Sequence, residues 1–134
     1  FMKKYWMIWT LASALAACSS TVPLATSEEV PAAKGQVQVK EVANENTRVR
    51  VQVKHLAQPQ RINPGAKTFV VWTRPTEQAR PQNMGALKVD RHLNGKLETV
   101  TPLKDFELFI TAEPTSTVDA PSGNTLLSTR IARK

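Results

Sequence analysis

Two runs in the N-terminal half, QVQVKEV (36–42) and TRVRVQV (47–53), set valine against polar side chains with a period of two. Val37 and Val39 share one face, with Gln36, Gln38 and Lys40 on the other; Val49, Val51 and Val53 oppose Arg48, Arg50 and Gln52. A helix would scatter these valines around its circumference, whereas a strand collects them on one side. Valine's stiff, branched side chain favours the same outcome. Strands that are apolar on one face and polar on the other belong in antiparallel sheets with one solvated side.

The rest of the chain continues in this manner. KTFVVWT (67–73) is apolar on both faces and reads as a central strand. ALKVD (86–90) alternates, DFELFITA (105–112) sets Phe106, Leu108 and Ile110 on one side, and TLLSTRIA (125–132) closes the series. Asn63-Pro64-Gly65 and Pro121-Ser122-Gly123-Asn124 supply reversals, and Asn94-Gly95 is a strong hairpin signal leading to a short strand near 97–101. About seven strands at this spacing predict an all-β fold, an immunoglobulin-like antiparallel two-sheet sandwich. There is no internal repeat and no useful amphipathic helix in this part of the chain.

The N-terminal segment is of another kind. Lys3 and Lys4 precede YWMIWTLASALAA (5–17), which is apolar and ends in small residues, as in a secretory signal. Phe1 ahead of Met2 reads as an upstream residue. The apolar stretch falls short of the about 20 residues of a comfortable membrane span. At its end stands the sole cysteine, Cys18. Leu15-Ala16-Ala17-Cys18 resembles the lipobox of bacterial lipoproteins. The resemblance implies a diacylglycerol on the Cys18 sulfur, cleavage before Cys18, and further acylation of the freed α-amine, as by palmitate. Cysteine suits this chemistry because its thiolate is a strong nucleophile. The competing readings are a buried core cysteine and an incidental cysteine in an ordinary signal.

The expected organisation is therefore a signal peptide (1–17), a lipidated N-terminus and flexible tether (18–35) and a β domain (36–134). Residues 19–35 are rich in Ser, Thr, Pro and Ala without apolar periodicity, which reads as tether. With Cys18 taken by lipid, the domain would be held together by its core without disulfides. The expected location is the bacterial envelope, on the side away from the cytoplasm. If the host has two membranes, Ser19 and Ser20 resemble outer-membrane sorting, since aspartate there is the usual retention signal.

The chain carries a formal charge of +7, which becomes +5 once Lys3 and Lys4 leave with the signal. The excess is scattered from Lys34 onward with no block of like charge, so no nucleic-acid arm is indicated. A basic soluble surface is the plain reading; attraction to anionic headgroups or acidic envelope polymers is the sharper one.

The second half adds a resemblance. TFVVWTRP (68–75), NMGALKVD (83–90), NGKLETV (94–100), FELFITAEP (106–114) and APSGNTLL (120–127) occur in order. They resemble the extracytoplasmic β-sandwich of the RskA-like anti-sigma-K factors, chiefly through ITAEP followed by PSG. That likeness implies a sandwich, an extracytoplasmic setting and a sensing or partner-binding role, with no catalytic residue. The cytoplasmic helical domain and membrane span of those factors are not found in this sequence.

Little else points to chemistry. His55 and His92 are isolated, whereas zinc needs three or four convergent ligands. There is no G-x-S-x-G elbow, and Ser122 reads as a turn serine. Asp105, Glu107 and Glu113 sit near one strand, and Asp105 and Glu107 share an outward parity and read as a solvated face. Trp72 reads as core. The expectation is a non-enzyme with no metal or cofactor, monomeric, membrane-held through Cys18, with an envelope protein as partner and no nucleic acid. Its leading function is a lipid-anchored accessory or partner-binding module. A sensor subunit akin to the anti-sigma domain, and a small hydrolase or metal-binding protein, are the alternatives.

Overall fold

A computed structural model of the chain describes residues 19–133. They form an all-β fold of nine strands: β1 (Ser20–Thr26), β2 (Lys34–Glu41), β3 (Thr47–Lys54), β4 (Thr68–Arg74), β5 (Gln82–Ala86), β6 (Lys88–Val89), β7 (Gly95–Thr101), β8 (Asp105–Glu113) and β9 (Leu127–Ala132). A single helical turn, α1 (Pro59–Ile62), leads into the reversal at Asn63-Pro64-Gly65. The strands join in the order β5-β4-β8-β9-β1-β2-β3-β7-β6, each pair antiparallel.

One sheet of nine strands stands where the sequence suggests seven strands in two. The difference lies at two corners. The outermost strands, β5 and β6, are consecutive in the chain and separated by Leu87 alone, so the sheet curls until it is nearly closed. Leu87 turns inward, is buried, and donates its N–H to the Phe69 carbonyl at 2.9 Å. Gly85, at φ 122, supplies the bend, a backbone region that side chains other than hydrogen rarely adopt. β4 answers with a register shift between Val71 and Trp72. The second corner is β1: Ser20–Leu24 pair with β2, while Ala25 and Thr26 pair with β9. Strands that change partners at bends are how sheets turn corners.

β1 corrects the expected tether. Residues 18–35 look like a linker because alanine, serine, threonine and proline dominate, yet Leu24, Val30 and Ala33 are buried in the main core. The backbone of β1 bridges β2 and β9, and its low apolar content suffices because hydrogen bonds, not side chains, make that bridge. A fragment beginning at residue 36 should therefore be unfolded or strongly destabilised, whereas one beginning at residue 19 should give a cooperative melt. Equal melting of the two fragments would show β1 to be dispensable.

The period-two reading holds inside. Val37, Val39, Val49, Val51, Val53, Phe69, Val71, Phe106, Leu108, Ile110, Leu127 and Ile131 fill one continuous core. The hairpin before β7 is a correction. Gly95 lies within β7, paired to Val53 and Val89, and the turn runs from Asp90 to Asn94. Asp90 Oδ1 accepts the His92 and Asn94 N–H groups at 2.9 and 3.0 Å. The Asn94 amide foremost holds the Asp90 carboxyl below its ordinary 3.8. Gly95 serves packing: a Cβ there would come within 3.1 Å of Leu56 and Leu87 side-chain carbons.

Candidate functional site

Cys18 and the Leu15-Ala16-Ala17 run before it lie outside the described residues. Ser19 is exposed and shares a shallow groove with Gln38, Lys40, Arg48 and Arg50. Only Ser19 stands between Cys18 and the first residue of β1.

This groove belongs to the solvated face of β2, β3, β7 and β6. The valines point inward, so register alone decides what points out. Lys40 lies opposite Arg48, Gln38 opposite Arg50 and Lys34 opposite Lys54. The row continues from Gln52 to Lys96 on β7 and then to Lys88 on β6. Seven cations, Lys34, Lys40, Arg48, Arg50, Lys54, Lys88 and Lys96, thereby share one face with a single facing carboxylate among these strands, Glu98. Glu98 meets Arg50 at 3.1 Å and Arg48 at 3.6 Å. These pairs are exposed and add little stability. The broadest concavity of the face, about 430 Å³, is lined by Arg50, Gln52, Lys88, Lys96 and Glu98, among others. No run of charge marks this cluster in the sequence. The alternation in TRVRVQV is the one local signal, and strand pairing multiplies it.

The outer face of β4 and β8 has a different character. Val70, Trp72 and Phe109 form a small second core on the outside of the barrel, covered by Val118 of the segment following β8. Trp72 and Phe109 stack with ring centroids 6.4 Å apart, and the Arg74 guanidinium lies 5.0 Å from the Phe109 ring centre. Arg74 also pairs with Glu107 at 2.8 Å. Asn83 Nδ2 donates to the Ser116 and Val118 carbonyls at 2.9 and 3.0 Å, which holds the covering segment down. Trp72 is therefore buried as expected, but in this satellite core and away from Val49, Val51 and Val53.

A chain of hydrogen bonds leads from Trp72 to a fully buried carboxylate. Trp72 Nε1–H donates to Thr111 Oγ1 at 2.9 Å, and Thr111 donates to Glu113 Oε2. Glu113 also accepts the Ser122 hydroxyl, the Ser122 N–H at 3.0 Å and the Gly123 N–H at 3.3 Å. Burial by itself pushes the Glu113 carboxyl upward, but the donors at Ser122, Thr111 and Gly123 outweigh it and hold the group below its ordinary 4.5. Glu113 continues the outward parity of Asp105 and Glu107, yet it lies beneath the 121–123 segment and not in water. The ITAEP and PSG pieces of the sequence are thus the two halves of one clasp.

Chemically the clasp is saturated. The Ser122 proton is directed at an ionised carboxylate whose lone pairs are already engaged, and neither histidine appears among its partners. Asp105 is paired to Arg130 at 2.8 Å. His55 follows β3 with φ 60, and this left-handed turn swings it out to solvent and off the inward parity of the valines. His92 is exposed in the Asp90–Asn94 turn. Among the described residues no three His, Cys, Asp or Glu side chains come together in a way that could hold a metal ion, and no helix is long and apolar enough to cross a membrane.

No protein-family model matches the chain, and no curated protein matches it.

Proposed function

We propose that this protein is a lipid-anchored, non-catalytic lipoprotein of the bacterial envelope, acting outside the cytoplasm as an accessory or partner-binding module. The observation that carries this reading is the placement of the one cysteine: Cys18 follows Leu15-Ala16-Ala17 at the end of an apolar segment that begins after Lys3 and Lys4. The strand pairing that starts at Ser20 agrees with it, since the folded domain begins just beyond the attachment point. The paired or saturated states of Asp105, Glu107 and Glu113 favour a binding role over hydrolysis. A two-layer, immunoglobulin-like packing within the nearly closed sheet belongs to the same proposal. It is supported by the apolar side chains that β2, β3 and β7, and across from them β4, β8 and β9, send into a common core.

The test is Cys18→Ser in the full chain, expressed in a bacterium fed a radiolabelled or clickable fatty acid. The expected result is complete loss of acyl labelling and accumulation of the uncut form. Normal labelling and maturation of the variant would refute the proposal. A sensor role related to the anti-sigma domains is the second reading, motivated by the ITAEP and PSG pieces that resemble those domains. It predicts co-purification with an envelope regulator.

A further inference from the structure

We infer that the basic face of β2, β3, β7 and β6 is a docking surface for anionic lipid headgroups, holding the barrel flat against the membrane to which Cys18 attaches it. The inference rests on the lipid-anchor reading for its geometry, but its own evidence is the face. Seven cations are brought onto one wall by register, against one facing carboxylate. The remaining outward positions of β2 and β3 are Gln36, Gln38 and Gln52, which donate hydrogen bonds without adding negative charge. Shallow grooves run across this wall from Lys34 and Lys54 to Lys88 and Lys96.

Two features commit the face to a lipid surface. First, Ser19, the neighbour of Cys18, lines the groove formed by Gln38, Lys40, Arg48 and Arg50. A lipid on Cys18 would therefore emerge at the edge of the cationic wall, and because β1 leaves no slack, the wall would be carried close to the headgroups. Headgroup attraction acts over about 8 Å at physiological salt, so this proximity decides whether the cations are felt. Second, the outward positions of β2, β3 and β7 carry no aromatic side chain, the feature on which single-stranded nucleic acid would stack. Long, flexible lysine and arginine side chains on a strand face suit a fluid array of phosphates. An acyl anchor joined to a basic patch is also the two-signal arrangement that makes membrane attachment stable.

The full chain is reconstituted in phosphatidylcholine vesicles with and without phosphatidylglycerol, and lysine acetylation rates are read by mass spectrometry. Lys34, Lys40, Lys54, Lys88 and Lys96 should label several-fold more slowly in the anionic vesicles, and high salt should remove the protection. Lys67, outside this face and just ahead of β4, should label equally in both. The variant Lys40→Gln/Lys54→Gln/Lys96→Gln, with an unchanged melt, should lose the slowing at Lys34 and Lys88. Equal labelling in the two vesicle types, protection of Lys67 to the same degree, or protection by an added polyanion but not by phosphatidylglycerol would overturn the inference. The reconstituted chain is one whose acylation at Cys18 the fatty-acid label has verified, so failure here is distinct from failure of the anchor.

Discussion

Trp72→Ala should cost about 3–5 kcal/mol of stability, the usual penalty for emptying a buried aromatic site. Trp72 is 0% exposed, yet the main core would remain intact in the variant. The loss arises in the outer core, where Phe109 would lose its stacking partner and Val118 the surface beneath it. Thr111 would lose a donor as well. For a domain with the common 5–15 kcal/mol of stability this is a large fraction, equivalent to a fall in melting temperature of more than about 10 °C. Thermal melts followed by circular dichroism provide the measurement. His55→Ala and His92→Ala, both at exposed positions, should shift the melt far less. Trp72→Phe should fall between, keeping the ring while losing the Nε1 donor. A Trp72→Ala protein that melts like its parent would mean that the segment after β8 contributes no packing energy.

The second large effect is expected at Glu113. Glu113→Ala would leave Thr111 Oγ1 and the Ser122 and Gly123 N–H groups facing an empty site. Each buried donor without an acceptor costs ~1–3 kcal/mol, so a loss of a few kcal/mol follows. Glu113→Gln isolates the charge, since it retains the shape. Donors hold the folded-state carboxyl below its ordinary 4.5, so the folded state favours ionisation more than the unfolded chain does. Its stabilisation is complete above that ordinary value and is lost as pH falls through the lowered folded-state value. In urea titrations the parent should therefore exceed Glu113→Gln clearly at neutral pH, with the gap closing under acid conditions well below 4.5. A gap independent of pH would show that Glu113 is protonated in the folded protein.

This clasp also bears on the resemblance to the anti-sigma domains. The residues that carry the likeness, ITAEP and PSG, are the ones whose side chains and amides meet around Glu113. A folding requirement of this kind accounts for their occurrence together without reference to any ligand.

Several elements were legible residue by residue. The alternation of Val37 and Val39, and of Val49, Val51 and Val53, specified β2 and β3 and their buried faces, because a strand's side chains alternate whatever it pairs with. Both faces of 69–72 are apolar, and both are buried. Asn63-Pro64-Gly65 turned as its chemistry dictates. β1 was not legible, since its place in the sheet depends on backbone hydrogen bonds to β2 and β9 that leave little trace in side-chain polarity. The Asn94-Gly95 signal was outbid by the Asp90 carboxylate, which closes a longer turn and releases Gly95 to pack against Leu56 and Leu87.

The sequence by itself determined an all-β chain with valine-lined strands, and it carries the cysteine on which the anchoring proposal rests. The tertiary structure alone decided three things. β5 and β6 close the sheet toward a barrel because Leu87 joins its two outermost strands. Glu113 is buried yet held toward its ionised form because a distant segment brings its donors to it. Cations scattered from residue 34 to residue 96 become one face because strand register, a property of pairs, sets them side by side.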